Sequence, residues 1–183
     1  MKHFFVFALF VLMFAALHNP AVAQISMSRP LYEPSTRFVE KDFAWSAQKG
    51  TGVIAGRATL RSPGGYIQTA DGEEVTLIAK NAYTDEIVLK TREEGFFDEY
   101  QNVKKDSKYD KYRITQMADK KGGFRFENLP AGDWYIVTRV IWYTRDQTSQ
   151  VHLNGGLLWG EISIFKGQVR DDIELDSTIH MAK

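Results

Sequence analysis

The sequence predicts an all-β sandwich of seven or eight strands, with one short helix inserted and a signal peptide ahead of it. Three observations carry this: short runs alternating apolar and polar residues, Gly/Pro-rich punctuation between them, and a single segment with helical chemistry.

The first strand is Val53–Leu60, closed by the breaker Arg61-Ser62-Pro63-Gly64-Gly65, with a second turn signal at Asp71-Gly72. In Glu74–Ala79, Val75, Leu77 and Ala79 share one face while Thr76 and Ile78 take the other, the pattern of a half-buried strand. The β pattern then breaks. Thr84 is read as an N-cap, with Asp85 and Glu86 in the first turn, Ile87 and Val88 on an apolar stripe and Gly95 as the stop. A helix is expected from Asp85 to about Glu94. From Glu93 to Lys121 the chain is rich in charge and tyrosine, and reads as a long surface loop with one strand at Tyr112–Met117.

The last third is the most regular. Phe124-Arg125-Phe126-Glu127 alternates, Leu129–Asp133 turns, and Trp134–Tyr143 is almost continuously apolar, as in a central strand covered on both faces. A polar loop and the turn Asn154-Gly155-Gly156 lead to a strand at Leu157–Phe165, and Val169–Leu175 is the final one.

Lys2 followed by an apolar run from Phe4 to Leu17, then Pro20 and Ala21-Val22-Ala23, is the pattern of a secretory signal peptide cut after Ala23. The run is too short for a membrane span, and no later stretch is long and apolar enough to be one. Residues 24–49 carry Pro30 and Pro34 without periodicity and read as an extended arm. Phe38, Val39, Phe43 and Trp45 are available to dock part of it. Residues 50–176 form the sandwich and 177–183 a polar tail. A periplasmic or secreted location follows from the leader.

Composition excludes several classes. The chain has 23 basic and 23 acidic residues, which argues against nucleic acid as a partner, and no cysteine, which removes disulfides, thiolate nucleophiles and thiolate metal sites. His152 and His180 stand apart from other metal-ligating residues, and no Gly-x-Ser-x-Gly surrounds Ser163, so neither zinc nor a serine hydrolase is expected. Asp119 and Asp133 lie beside turns without a calcium-loop pattern. No catalytic residue, cofactor or metal site is assigned.

The block Gly122–Val137, containing Gly123-Phe124-Arg125-Phe126 and Leu129-Pro130-Ala131-Gly132-Asp133-Trp134, resembles the signature of carboxypeptidase regulatory-like domains. Trp134 stands where that family usually has tyrosine. The resemblance implies a transthyretin-like, Ig-like sandwich and an accessory or binding role. The expected partner is an envelope protein, a peptide or a glycan. Pairing of an edge strand with a second copy is a further expectation. The alternative within the binding class is a carbohydrate-binding module. Its candidate rings are Tyr100, Tyr109 and Tyr112 in the long loop, with Tyr143 and Trp159. A small hydrolase assembled by the loop is the third reading.

Overall fold

The computed structural model describes residues 31–94 and 103–176. The expected leader, Gly95, Tyr100, His180 and the C-terminal tail lie outside them. The elements are β1 (Gly52–Arg61), β2 (Ile67–Thr69), β3 (Glu74–Ala79), α1 (Ala82–Glu94), β4 (Arg113–Met117), β5 (Gly123–Leu129), β6 (Gly132–Arg145), β7 (Val151–Ile164) and β8 (Val169–Leu175). No helix among the described residues is long and apolar enough to cross a membrane.

Two four-stranded sheets face each other. In the first, β1 pairs antiparallel with β5 and β2, and parallel with β8. The second has the order β4-β3-β6-β7, antiparallel throughout. The alternation in the sequence fills the space between them: Phe124 and Phe126 from β5 meet Trp134, Ile136 and Val140 from β6 and Leu158 from β7. Burying each such side chain contributes about 1.5–3 kcal/mol. Gly56 allows β8 to close on β1, since a Cβ there would lie 2.0 Å from the carbonyl oxygen of Ile173.

A second core lies on the outer side of the second sheet. Ile78 and Tyr135 from the sheet, Tyr83 and Ile87 from α1, Tyr109 from the following segment and Phe43 from the arm are all buried together. This layer changes several expectations. β3 is covered on both faces rather than one, because α1 and the arm pack over the Ile78 side. The segment after α1 is not merely a surface loop: Tyr109 is fully buried and leads through a 3-10 turn into β4, the strand anticipated there.

The helix begins earlier than Asp85. Asn81 is the cap, its Oδ1 accepting the backbone N–H groups of Tyr83 and Thr84, each at 3.1 Å. Thr84 reciprocates three positions on, its hydroxyl oxygen accepting from the Asn81 N–H at 2.9 Å. β7 also starts earlier, at Val151. Asn154-Gly155-Gly156 is inside the strand, and the turn is made upstream by Asp146, whose Oδ1 accepts from the N–H groups of Thr148 and Gln150.

The arm is held by Glu86 of α1. Its carboxylate accepts from the Tyr32 hydroxyl, from Ser35 N–H at 2.6 Å and from Thr36 N–H at 2.8 Å. Farther on, Phe43 is fully buried, stacked on Phe38 at 4.9 Å. Trp45 lies edge-on to Trp134 at 4.9 Å, over Gly132, where a Cβ would meet its ring at 2.3 Å. Trp45 thus ties the arm to the sandwich core.

These contacts give the arm a pH dependence. The Tyr32 hydroxyl, then the Thr36 and Ser35 donors, pull the Glu86 carboxyl from 4.5 down to about 2. Glu40, bonded to Lys111 and Tyr112, is likewise lowered to about 2. A lowered folded-state value stabilises docking above the ordinary carboxylate range, and that contribution disappears as pH falls from about 4.5 through about 2. Pepsin cleavage within residues 31–49 is therefore expected to accelerate over that window relative to cleavage in the sandwich. At neutral pH, Glu86→Gln should free the arm's backbone and so speed tryptic cleavage after Arg37 and Lys41, whose side chains are already exposed. Equal protection in the variant would show that the carboxylate does not hold the arm.

Candidate functional site

The longest hairpin creates the site. β6 and β7 pair over fourteen positions, from Gly132↔Ile164 to Arg145↔Val151. β3 follows β6 only from Ala79↔Trp134 to Thr76↔Val137. Beyond that point the sheet splits. The next contact across the gap is the Thr138 hydroxyl donating to the Glu74 carbonyl at 2.9 Å, in place of a continued backbone ladder. A groove of about 560 Å³ opens there, on the outer side of the second sheet.

Its floor is Thr76, Ile78 and Val137, with Leu157 of β7 as an apolar wall. The rim is polar: Glu73 and Glu74 enter from the β2–β3 turn and β3, Arg113 from β4, Arg139 from β6 and Lys105 from the segment before β4. Arg139 Nε donates to Glu73, and Arg113 to Glu74 at 3.0 Å and to Asp110 at 3.3 Å. Burial, followed by the positive charge of Arg113, pushes Lys105 from 10.5 down to about 8, with Asp110 pulling weakly the other way. Apolar floor, paired donors and acceptors, and fixed charges together suit a small or linear polar ligand.

The rings anticipated as a platform are dispersed. Tyr109 is fully buried, edge-on to Phe43 and Tyr83, so it presents no ring to solvent. Tyr112 is half-buried in the same cluster and donates its hydroxyl to Glu40 at 2.9 Å. Trp159 is half-buried against Tyr135 at 6.4 Å, opposite Val137 in the ladder, and packs on the second core rather than lining the groove. Tyr143 is 69% exposed farther along the ribbon, beside Val151 and Leu153, on an outer face that β3 does not reach. Tyr100 lies outside the described residues. Charged residues from four chain segments make the groove instead.

Among the described residues, His152 is brought beside an acid but not beside Ser163. His152 is on β7, not in a loop, and its Nε2 lies 2.9 Å from Asp146 Oδ2. Ser163 donates to Asp133 at 2.5 Å. His152 and Ser163 stand eleven positions apart on one strand, which separates them by about 36 Å at ~3.3 Å per residue. Among the described residues, no group of three or more His, Asp or Glu side chains is placed to hold a metal ion. Asp119 caps a turn, accepting the N–H groups of Lys121 and Gly123.

The class defined by this geometry is a two-sheet β-sandwich, carrying a helix-and-arm layer and an open groove on the same sheet. Among solved structures, a Pseudomonas aeruginosa protein provisionally named a carbohydrate binding protein shares that fold. The TM-score is 0.68 at 23% identity, over 78% of this chain and 99% of that one. The major pilin subunit of Bacillus cereus is a more distant likeness, with a TM-score of 0.39 and 14% identity over 70% of this chain and 30% of the pilin. No family model matches the sequence, and no curated protein does either.

Proposed function

We propose that this protein is an exported, non-catalytic binding module of carboxypeptidase regulatory-like type, acting in the cell envelope or outside it, with a glycan as its ligand. The observation that carries this reading is the groove where β3 parts from β6. An apolar floor there, with Leu157 as a wall, is ringed by hydrogen-bonding groups. Sugars have this dual chemistry: apolar ring faces and a hydroxyl periphery that needs donors and acceptors together. The leader pattern supports export, and the fold shared with the Pseudomonas aeruginosa protein supports the ligand class.

The test is a glycan array followed by affinity electrophoresis of the purified chain. Arg139 is half exposed and its ion pair with Glu73 is a rim contact, so Arg139→Ala should change stability by no more than about 1 kcal/mol. The same substitution should weaken glycan binding about tenfold, because hydrogen bonds from a charged donor contribute about 1.5–3 kcal/mol. Retention that is indifferent to Arg139→Ala would move the ligand elsewhere. No retention on any glycan would remove the reading.

A further inference from the structure

We propose that β7 is a self-pairing edge: two copies of this chain join antiparallel along it, about a two-fold axis at Leu158, and their second sheets become one continuous sheet. The partner is a second copy of the chain, and the inference does not rest on the glycan reading.

A free strand edge offers unpaired N–H and C=O groups, which folded proteins guard with short strands, charges or proline. The edges of this sandwich differ in that protection. In the first sheet, β2 has three residues, β5 carries Arg125 and Glu127, and β8 carries Arg170, Asp171, Asp172 and Glu174. In the second, β4 has five residues. Among the described residues β7 ends that sheet, with β6 on one side only. It has fourteen residues, and Val151–Gly160 contains no proline and no Asp, Glu, Lys or Arg. An open cleft of about 280 Å³ lies between β7 and β8, so β8 does not cover the edge.

What β7 exposes selects its occupant. At the start of the strand Val151 and Leu153 are half exposed on the outer face, and just past its end Phe165 is 74% exposed. Leu157 and Trp159 are half-buried between them, on the same face. An antiparallel mate about Leu158 sets Val151 opposite Phe165 of the second copy, and Leu157 opposite its Trp159, each pairing occurring twice. Apolar ends of one edge thereby cover each other. The same register sets Glu161 opposite Gly155, where no side chain meets the carboxylate. The neighbouring registers are worse: an axis at Leu157 puts Leu153 against Glu161, and one at Trp159 puts Leu157 against it.

The opposing term is charge on β8. Asp172 and Glu174 belong to the facing sheet, about 10 Å behind the plane of pairing. Exposed charges at that range are largely screened at physiological salt, where the Debye length is about 8 Å. Backbone pairing along the whole strand therefore outweighs their repulsion across the axis. Because the axis is normal to the sheet, both outer faces stay on one side, and the two grooves open in the same direction.

Analytical ultracentrifugation of the purified chain, from about 1 to 100 μM, should show a reversible dimer. Leu153→Lys places a charge on the edge and should weaken dimerisation about tenfold or more, with calorimetry confirming that the variant is folded. Lys166→Gln, on the exposed turn after β7, should leave it unchanged. The register is read by cross-linking, since the chain has no cysteine of its own. Leu153 and Ser163 are opposite each other in the proposed dimer, but within one copy they are separated by about 33 Å at ~3.3 Å per residue. The double variant Leu153→Cys/Ser163→Cys should therefore give disulfide-linked dimers on mild oxidation, and neither single variant should. A chain that is monomeric throughout overturns the proposal, and hydrogen exchange then shows whether its own residues protect the β7 edge. A dimer that survives Leu153→Lys and is not cross-linked in the double variant also overturns it, by placing the interface elsewhere.

Discussion

Phe43→Ala is expected to destabilise the whole protein by about 3–5 kcal/mol, the range for removing a fully buried phenyl ring. For a domain of this size the midpoint of thermal unfolding should fall by about 10 °C or more. The magnitude is unusual for a residue in a segment with so little regular structure. Its cause is the position of the ring: Phe43 stacks on Phe38 and meets Tyr83 of α1 and Tyr109 edge-on, so its loss opens the floor between arm, helix and sheet. Ile78 and Ile87, both fully buried in that layer, would then face a cavity. Differential scanning calorimetry checks it. A drop of under about 2 °C would mean that the arm detaches on its own and that α1 is stable without it.

How much of this was legible in the sequence depended on the range of the interactions. The sandwich core was readable because its signal is local: Phe124 and Phe126 alternate within one strand, and the run from Trp134 announces a strand covered on both sides. The arm gave weaker information. Phe38, Phe43 and Trp45 follow no period, and what buries Phe43 is supplied by Tyr83 and Tyr109, far along the chain.

Two boundaries were misplaced because a residue type carries more than one use. Thr84 looks like a cap, yet it occupies the third helical position and answers Asn81, an equally good cap three residues earlier. Asn154-Gly155-Gly156 looks like a turn, yet it is strand. The site was harder still. Lys105, Arg113, Arg139 and Glu73 are ordinary surface residues in sequence, and only the parting of β3 from β6 brings them to one groove. Searching for exposed rings favoured tyrosines that the fold partly spends on its second core.

Gly155 shows why the misread turn is in fact a structural requirement of the hairpin, and it carries the other large expected effect. It has φ +120°, and a Cβ built on it would lie 1.9 Å from the carbonyl oxygen of Val140 and 2.9 Å from the Cα of Ile141. Its register partner is Ile141, so the side chain would point into the ladder itself rather than out of a sheet face. Gly155→Val must therefore push β7 off β6 locally, losing ladder bonds around Val140–Trp142 as well as adding backbone strain of about 1–3 kcal/mol. A total loss of about 3 kcal/mol or more is expected. Gly72→Ala is the control: φ is +69° but nothing lies within 4 Å of its Cβ, so only the left-handed conformation is penalised, at about 1–2 kcal/mol. Hydrogen exchange separates the two. In Gly155→Val the amides of Val151–Leu158 should lose protection while those of β1 and β5 keep it, whereas Gly72→Ala should lower protection evenly. Because Leu157 and Arg139 line the groove and are paired across this same hairpin, Gly155→Val should also weaken glycan retention. Retention that is unchanged despite an opened ribbon would place the ligand on another face of the sandwich.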